Sequence, residues 1–143
     1  MKKHVLRTFD KIRSRGWDRI YWAVDIHDTV IKSNYSVTTL PTEFFQGSRS
    51  ALQRLTDRPD CVLILFTCSH QDHVDLYLKL FEDNGIRFEY VNENPEVPNT
   101  DLGNFDRKFY VNIYLDDKAG FDPSEDWWAI HEALDDLEKR EKE

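Results

Sequence analysis

Residues 61–66 read Cys-Val-Leu-Ile-Leu-Phe, six apolar side chains with no polar residue between them. A strand with one wet face alternates polar and apolar, so an unbroken run must be covered on both faces. Such strands belong to parallel sheets, which need long crossovers between neighbours. The flanking sequence supplies them. Ser48 to Thr56 sets Leu52 and Leu55 at helical spacing. A second helix begins at Ser69, with Asp72 three residues on as a capping-box partner. Val74, Tyr77, Leu78 and Phe81 form its inward stripe, and Gly85 stops it.

Further strands are expected at 19–25, 86–91 and 110–115. Val5, Leu6, Phe9 and Ile12 mark an N-terminal helix over 2–15 that Gly16 ends. Asp122-Pro123-Ser124-Glu125 reads as the start of a last helix, with Trp127, Ile130, Leu134 and Leu137 on one face. The order predicts an α/β fold: a Rossmann-like three-layer sandwich with a central parallel sheet and helices on both faces. All 143 residues form one domain in this reading, with a basic helix, 1–17, appended in front. Val30–Gly47 is the single candidate cover, so the cap is minimal or absent.

Charge is unevenly divided. Residues 1–19 hold seven Lys/Arg against two Asp, and the remainder holds twelve Lys/Arg against twenty-five Asp/Glu. An acidic body argues against extended contact with a nucleic-acid backbone. The basic segment is either a solvated helix face or a guide for an anionic partner. No apolar run reaches the length of a membrane span, and the N-terminus lacks a leader-like apolar core. Cys61 and Cys68 are too few for a disulfide framework and are expected as reduced core thiols. A cytoplasmic protein with no membrane partner is predicted.

Parallel sheets bind ligands beyond the strand C-termini, and there the chemistry-bearing residues gather. The first strand ends in Asp25, His27, Asp28 and Thr29, the second in Thr67, Cys68 and Ser69, and the fourth in Asp116 and Asp117, with Lys108 just before it. A carboxylate can attack phosphorus and form an acyl phosphate. A hard cation between Asp25 and Asp116 or Asp117 would relieve repulsion between that carboxylate and a phosphate. Thr67 and Lys108 would hold the equatorial oxygens.

Four segments carry a resemblance to a known group. Val-Asp25-Ile-His27-Asp28-Thr29, Leu-Ile-Leu-Phe-Thr67-Cys-Ser, Arg107-Lys108 and Ile-Tyr-Leu-Asp116-Asp117 resemble, in order, the four motifs of the haloacid dehalogenase-like superfamily. Phe88 to Pro95 is similar to small stand-alone bacterial and phage members, and the likeness extends over about residues 19–135. The resemblance implies a Mg2+-dependent phosphomonoester hydrolase with Asp25 as nucleophile and metal ligand. It implies the main-chain carbonyl of His27 and one of Asp116 and Asp117 as further ligands. Thr67 would bind the phosphoryl group, and Lys108 would neutralise charge. A phosphorylated small molecule, a nucleotide or a nucleic-acid end would reach the open site, or a second copy of the chain would close it.

Two positions depart from the pattern. His27 stands where a second Asp usually acts as general acid and base, and Asp28 stands where glycine is common at a tight bend. Histidine can move protons near neutral pH. Three readings stay open: a working variant phosphatase, a transferase or slow enzyme, and a catalytically weak or inactive protein that keeps a metal or phosphate site. A response-regulator receiver domain is the rival of another class. It requires a phosphorylated Asp after the third strand, where this chain has Val91-Asn92-Glu93.

Overall fold

The computed structural model describes residues 1–36 and 38–143. Among these residues, four α-helices and four strands follow one another as α1 (Lys2–Ser14), β1 (Ile20–Val24), α2 (Ser48–Asp57), β2 (Cys61–Leu65), α3 (Gln71–Asp83), β3 (Tyr90–Val91), β4 (Ile113–Leu115) and α4 (Asp126–Glu141), with a short 3-10 turn at Asp117–Ala119. The strands form one sheet in the order β3-β2-β1-β4, parallel throughout. The chain steps outward from β1 to β3 and then returns to the other side of β1. Strand order therefore reverses between β1 and β4, the point at which ligands of such sheets bind.

The fold is a Rossmann-like three-layer α/β sandwich, but its two outer layers differ in kind. The buried residues of all four helices share one cluster with Ile20, Trp22, Val24, Leu63, Leu65, Ile113 and Leu115, the side chains of one sheet face. The opposite face, with Tyr21, Val62 and Ile64, is covered by Val97, Phe109, Tyr110 and Val111. Helices on both faces were the expectation. The connection from β3 to β4 contains no helix among the described residues, so the 92–112 segment forms that layer as a packed loop. The unbroken apolar run in β2 serves this arrangement, with Val62 to Leu65 buried on both sides.

Local chemistry trims the expected elements. β3 is confined to Tyr90–Val91, because Ile86 belongs to the end of α3: its N–H bonds to the Phe81 carbonyl at 2.9 Å, past Gly85 at φ +73°. β4 starts at Ile113 rather than Tyr110. The Asn112 side chain accepts the Tyr21 N–H at 2.8 Å, taking the place of a ladder bond. The capping box at Ser69 does not form. The Thr67 hydroxyl accepts the Ser69 N–H at 3.1 Å and donates to Ser69 Oγ at 3.0 Å, and α3 begins at Gln71 without a side-chain cap. Asp122 likewise takes the Ser124 N–H and hydroxyl, and α4 starts a turn later at Asp126. Cys68 is exposed and Cys61 half-buried, so only Cys61 approaches the expected core thiol.

α1 packs through Val5, Phe9 and Ile12. Two of its five basic side chains are paired within the molecule, by Lys2–Asp136 at 3.1 Å and Arg13–Glu141 at 2.6 Å. Residues 30–36 and 38–47 fold back as a narrow flap, with Lys32 N–H to the Glu43 carbonyl and Phe45 N–H to the Val30 carbonyl, both at 2.9 Å. Gly47 ends it at φ +83°, where a Cβ would sit 3.2 Å from the Trp128 ring. A side chain there would meet both backbone strain and that ring.

Candidate functional site

β1 and β4 end side by side, with Val24 paired to Leu115 and the Asp25 N–H bonded to the Leu115 carbonyl at 2.9 Å. That pairing carries Asp25 and Asp116 out of the sheet together. One carboxylate oxygen from each of Asp25, Asp116 and Asp117 lies within 4.8 Å of the others. Thr29, completely buried, ties Asp25 to Asp117: its hydroxyl lies 3.2 Å from Asp25 Oδ2 and 3.3 Å from Asp117 Oδ1 and accepts the Asp117 N–H at 3.0 Å. α4 fixes Thr29 from below, because Trp127 Nε1 donates to its carbonyl at 2.8 Å. Asp116 is fixed from two sides, by the Lys118 N–H at 2.9 Å and the Tyr114 hydroxyl at 2.7 Å.

The electrostatics follow from that crowding. Burial, and next the Asp116 charge, push Asp25 up to about 6, against the pull of the Ile26 N–H and the Thr29 hydroxyl. No lysine or arginine pairs with Asp25 or Asp116 among the described residues, and the exposed Lys118 reaches Asp117 only at 4.0 Å. Three convergent hard oxygen donors with unrelieved repulsion fit a small divalent cation such as Mg2+. The His27 carbonyl accepts no main-chain bond among the described residues and is open to the same use.

None of the other sequence-derived residues bonds to these three acids among the described residues. His27 Nε2 meets the Tyr77 hydroxyl of α3 at 2.6 Å, and the two rings are edge-on at 5.4 Å. Burial lowers the His27 pKa below its ordinary value. The ring opens onto a hollow of about 280 Å3 under the flap, with Ser33, His73 and Leu76. Asp28 takes the bend with φ +58°, a conformation aspartate tolerates better than most residues. Its carboxylate accepts the Ser33 N–H at 3.2 Å and the Tyr35 hydroxyl at 3.4 Å, so it holds the flap. Thr67 is half-buried, its hydroxyl engaged with Ser69 and its main chain held by Asn92. Lys108 is exposed, without an ion pair among the described residues, at the rim of a cavity on the loop-covered face.

Thr29, Tyr77 and Tyr114 take positions that strand-end reasoning gave no role. Thr29 was within reach of it: a hydroxyl four residues after a strand-terminal Asp can fold back onto that carboxylate. Tyr77 read only as a core residue of α3, and Tyr114 only as strand.

No family model and no curated protein matches the sequence. Among solved structures, a conserved protein from Bacteroides thetaiotaomicron is similar in fold, with a TM-score of 0.64 at 22% identity over 83% of this chain and 92% of that one. At that identity the likeness establishes the α/β fold alone. No helix is long and apolar enough to cross a membrane among the described residues.

Proposed function

We propose that this chain is a Mg2+-dependent phosphomonoester hydrolase that works through an aspartyl-phosphate on Asp25. The observation that carries the reading is the convergence of Asp25, Asp116 and Asp117 at the strand-order reversal, with the buried Thr29 hydroxyl between Asp25 and Asp117. Asp25 and one of Asp116 and Asp117, with the His27 carbonyl, would hold the ion. Bound there, Mg2+ would supply the positive charge that lets a carboxylate and a phosphate meet.

The chain's own groups then divide the work. The Asp25 carboxylate attacks phosphorus, the P–O ester bond breaks, and the leaving oxygen takes a proton from His27, which the attacking water later returns. Water next attacks the acyl phosphate, which releases inorganic phosphate and restores Asp25. Thr29 keeps Asp25 and Asp117 at fixed spacing through both steps. Thr67 and Lys108 are assigned to the phosphoryl oxygens, and His27 to proton transfer. A cytoplasmic setting belongs to the same reading, and the free Cys61 and Cys68 suit it.

A second reading has its own observation. His27 is engaged by Tyr77 rather than turned to the acids, which favours a catalytically weak protein that retains a metal or phosphate site. A phosphoester panel with and without Mg2+ separates the two. Metal-dependent phosphate release by the wild type supports the hydrolase. Normal Mg2+ binding without turnover, with release gained in His27→Asp, supports the weak binder.

A further inference from the structure

On the loop-covered face, Ala23, Phe66, Phe109, Val111 and Tyr114 line an open hollow of about 410 Å3, together with Arg107 and Lys108. That volume lies within the range of small-molecule sites. Three aromatic rings meet there edge-on, Phe66 with Phe109 at 5.5 Å and Phe66 with Tyr114 at 5.3 Å. Phe66 and Tyr114 remain 36% and 38% exposed, although the same face buries Tyr21, Val62 and Ile64. The cavity abuts the acid corner. Ala23 precedes Asp25 by two residues and Tyr114 precedes Asp116 by two, so strand alternation sends both pairs to one face. The Tyr114 ring lines the cavity while its hydroxyl bonds to Asp116 at 2.7 Å.

The geometry points to a binding site for an aromatic phosphomonoester, with its ring against Phe66, Phe109 and Tyr114 and its phosphate toward the acid corner. The proposal rests on the phosphoryl-transfer reading for the destination of the phosphate. Ring-on-ring contact recognises a planar aromatic group with little regard to its substituents. Arg107 and Lys108 add positive charge to an otherwise acidic body, which selects an anion over a neutral ring. An aliphatic phosphate would satisfy the cations and leave the apolar floor wet.

The test compares two phosphomonoesters of equal charge, phenyl phosphate and glycerol 2-phosphate, with inorganic phosphate as control. Calorimetric titration in Mg2+ uses the full chain carrying Asp25→Asn, so that neither ester is consumed. Phenyl phosphate is expected to bind roughly tenfold more tightly than glycerol 2-phosphate, the scale of one aromatic contact. Phe66→Ala should erase that preference and leave inorganic phosphate binding unchanged. Phe66→Leu, which keeps an apolar side chain in place, should erase most of it as well. Equal binding of the two esters, or a preference that survives Phe66→Ala, overturns the proposal. Turnover of both esters by the wild type without an aromatic preference leaves the hydrolase and removes the pocket. An aromatic preference without turnover leaves the pocket and removes the hydrolase.

Discussion

Leu63 and Ile64 are neighbours in β2, both fully buried, and they face opposite sides of the same sheet. Leu63 looks into a cluster fed by four helices, whereas Ile64 looks into a small cluster closed by a loop. The helical side is continuous from Val5 to Leu137 and has no role in the proposed chemistry beyond support. The loop side keeps two aromatic rings partly open and a cavity beside the acid corner. The difference teaches where this small chain spends its packing. One face holds the fold, and the other is left loose enough to take a ligand.

Truncation of the two neighbours tests that division most strongly. Leu63→Ala should cost about 4 kcal/mol, because helices packed on a sheet cannot collapse into the void. Ile64→Ala should cost about 2 kcal/mol, because the 92–112 layer can settle onto it. Urea denaturation of both variants reads the comparison, and equal costs would break it.

The acid corner at the junction of the faces should behave as a source of instability when metal is absent. Asp25 titrates at about 6 in the fold against an ordinary 3.8. Between those values the folded protein keeps a proton that the unfolded chain has released. Stability of the metal-free protein therefore falls as pH rises through that window and levels off above it. Asp25→Asn should flatten the profile and be the more stable protein at pH 7 in chelator. An unchanged slope in denaturation midpoints would show that Asp25 is not the group that titrates in this window.

The smallest effect belongs to the outer surface of the helical side. Arg13 and Glu141 join α1 to α4 at 2.6 Å, with both side chains about 40% exposed. Arg13→Ala should cost about 0.5 kcal/mol at low salt and nothing measurable at 1 M salt. A larger, salt-independent loss would mean that Arg13 acts through its contact with the Phe9 ring.

The helical face was largely legible in the sequence, because its signals are local. The stripes Val5-Phe9-Ile12 and Trp127-Ile130-Leu134-Leu137 are periodic, and each stands in the predicted helix. The loop face was not legible, since nothing in 92–112 repeats and its cover depends on contacts far apart in sequence, such as Asn94 with the Tyr110 carbonyl. Strand ends and helix starts shifted where one polar side chain took over a main-chain bond, as Asn112 and Asp122 do. The strand-end rule put Asp25, Asp116 and Asp117 at one edge of the sheet from residue type and position alone, and their carboxylates converge there. It could not foresee that His27 turns to Tyr77, because that choice is made by α3 fifty residues away.

The central claim is that Asp25 takes the phosphoryl group. Wild-type protein incubated with Mg2+ and phenyl phosphate, quenched in acid and reduced with borohydride, converts an acyl phosphate to homoserine. Peptide mass spectrometry should find that change at residue 25 and at no other acidic residue, and Asp25→Asn should release no phosphate. Phosphate release that persists in Asp25→Asn, or turnover with Asp25 unmodified and the adduct elsewhere, would contradict the account.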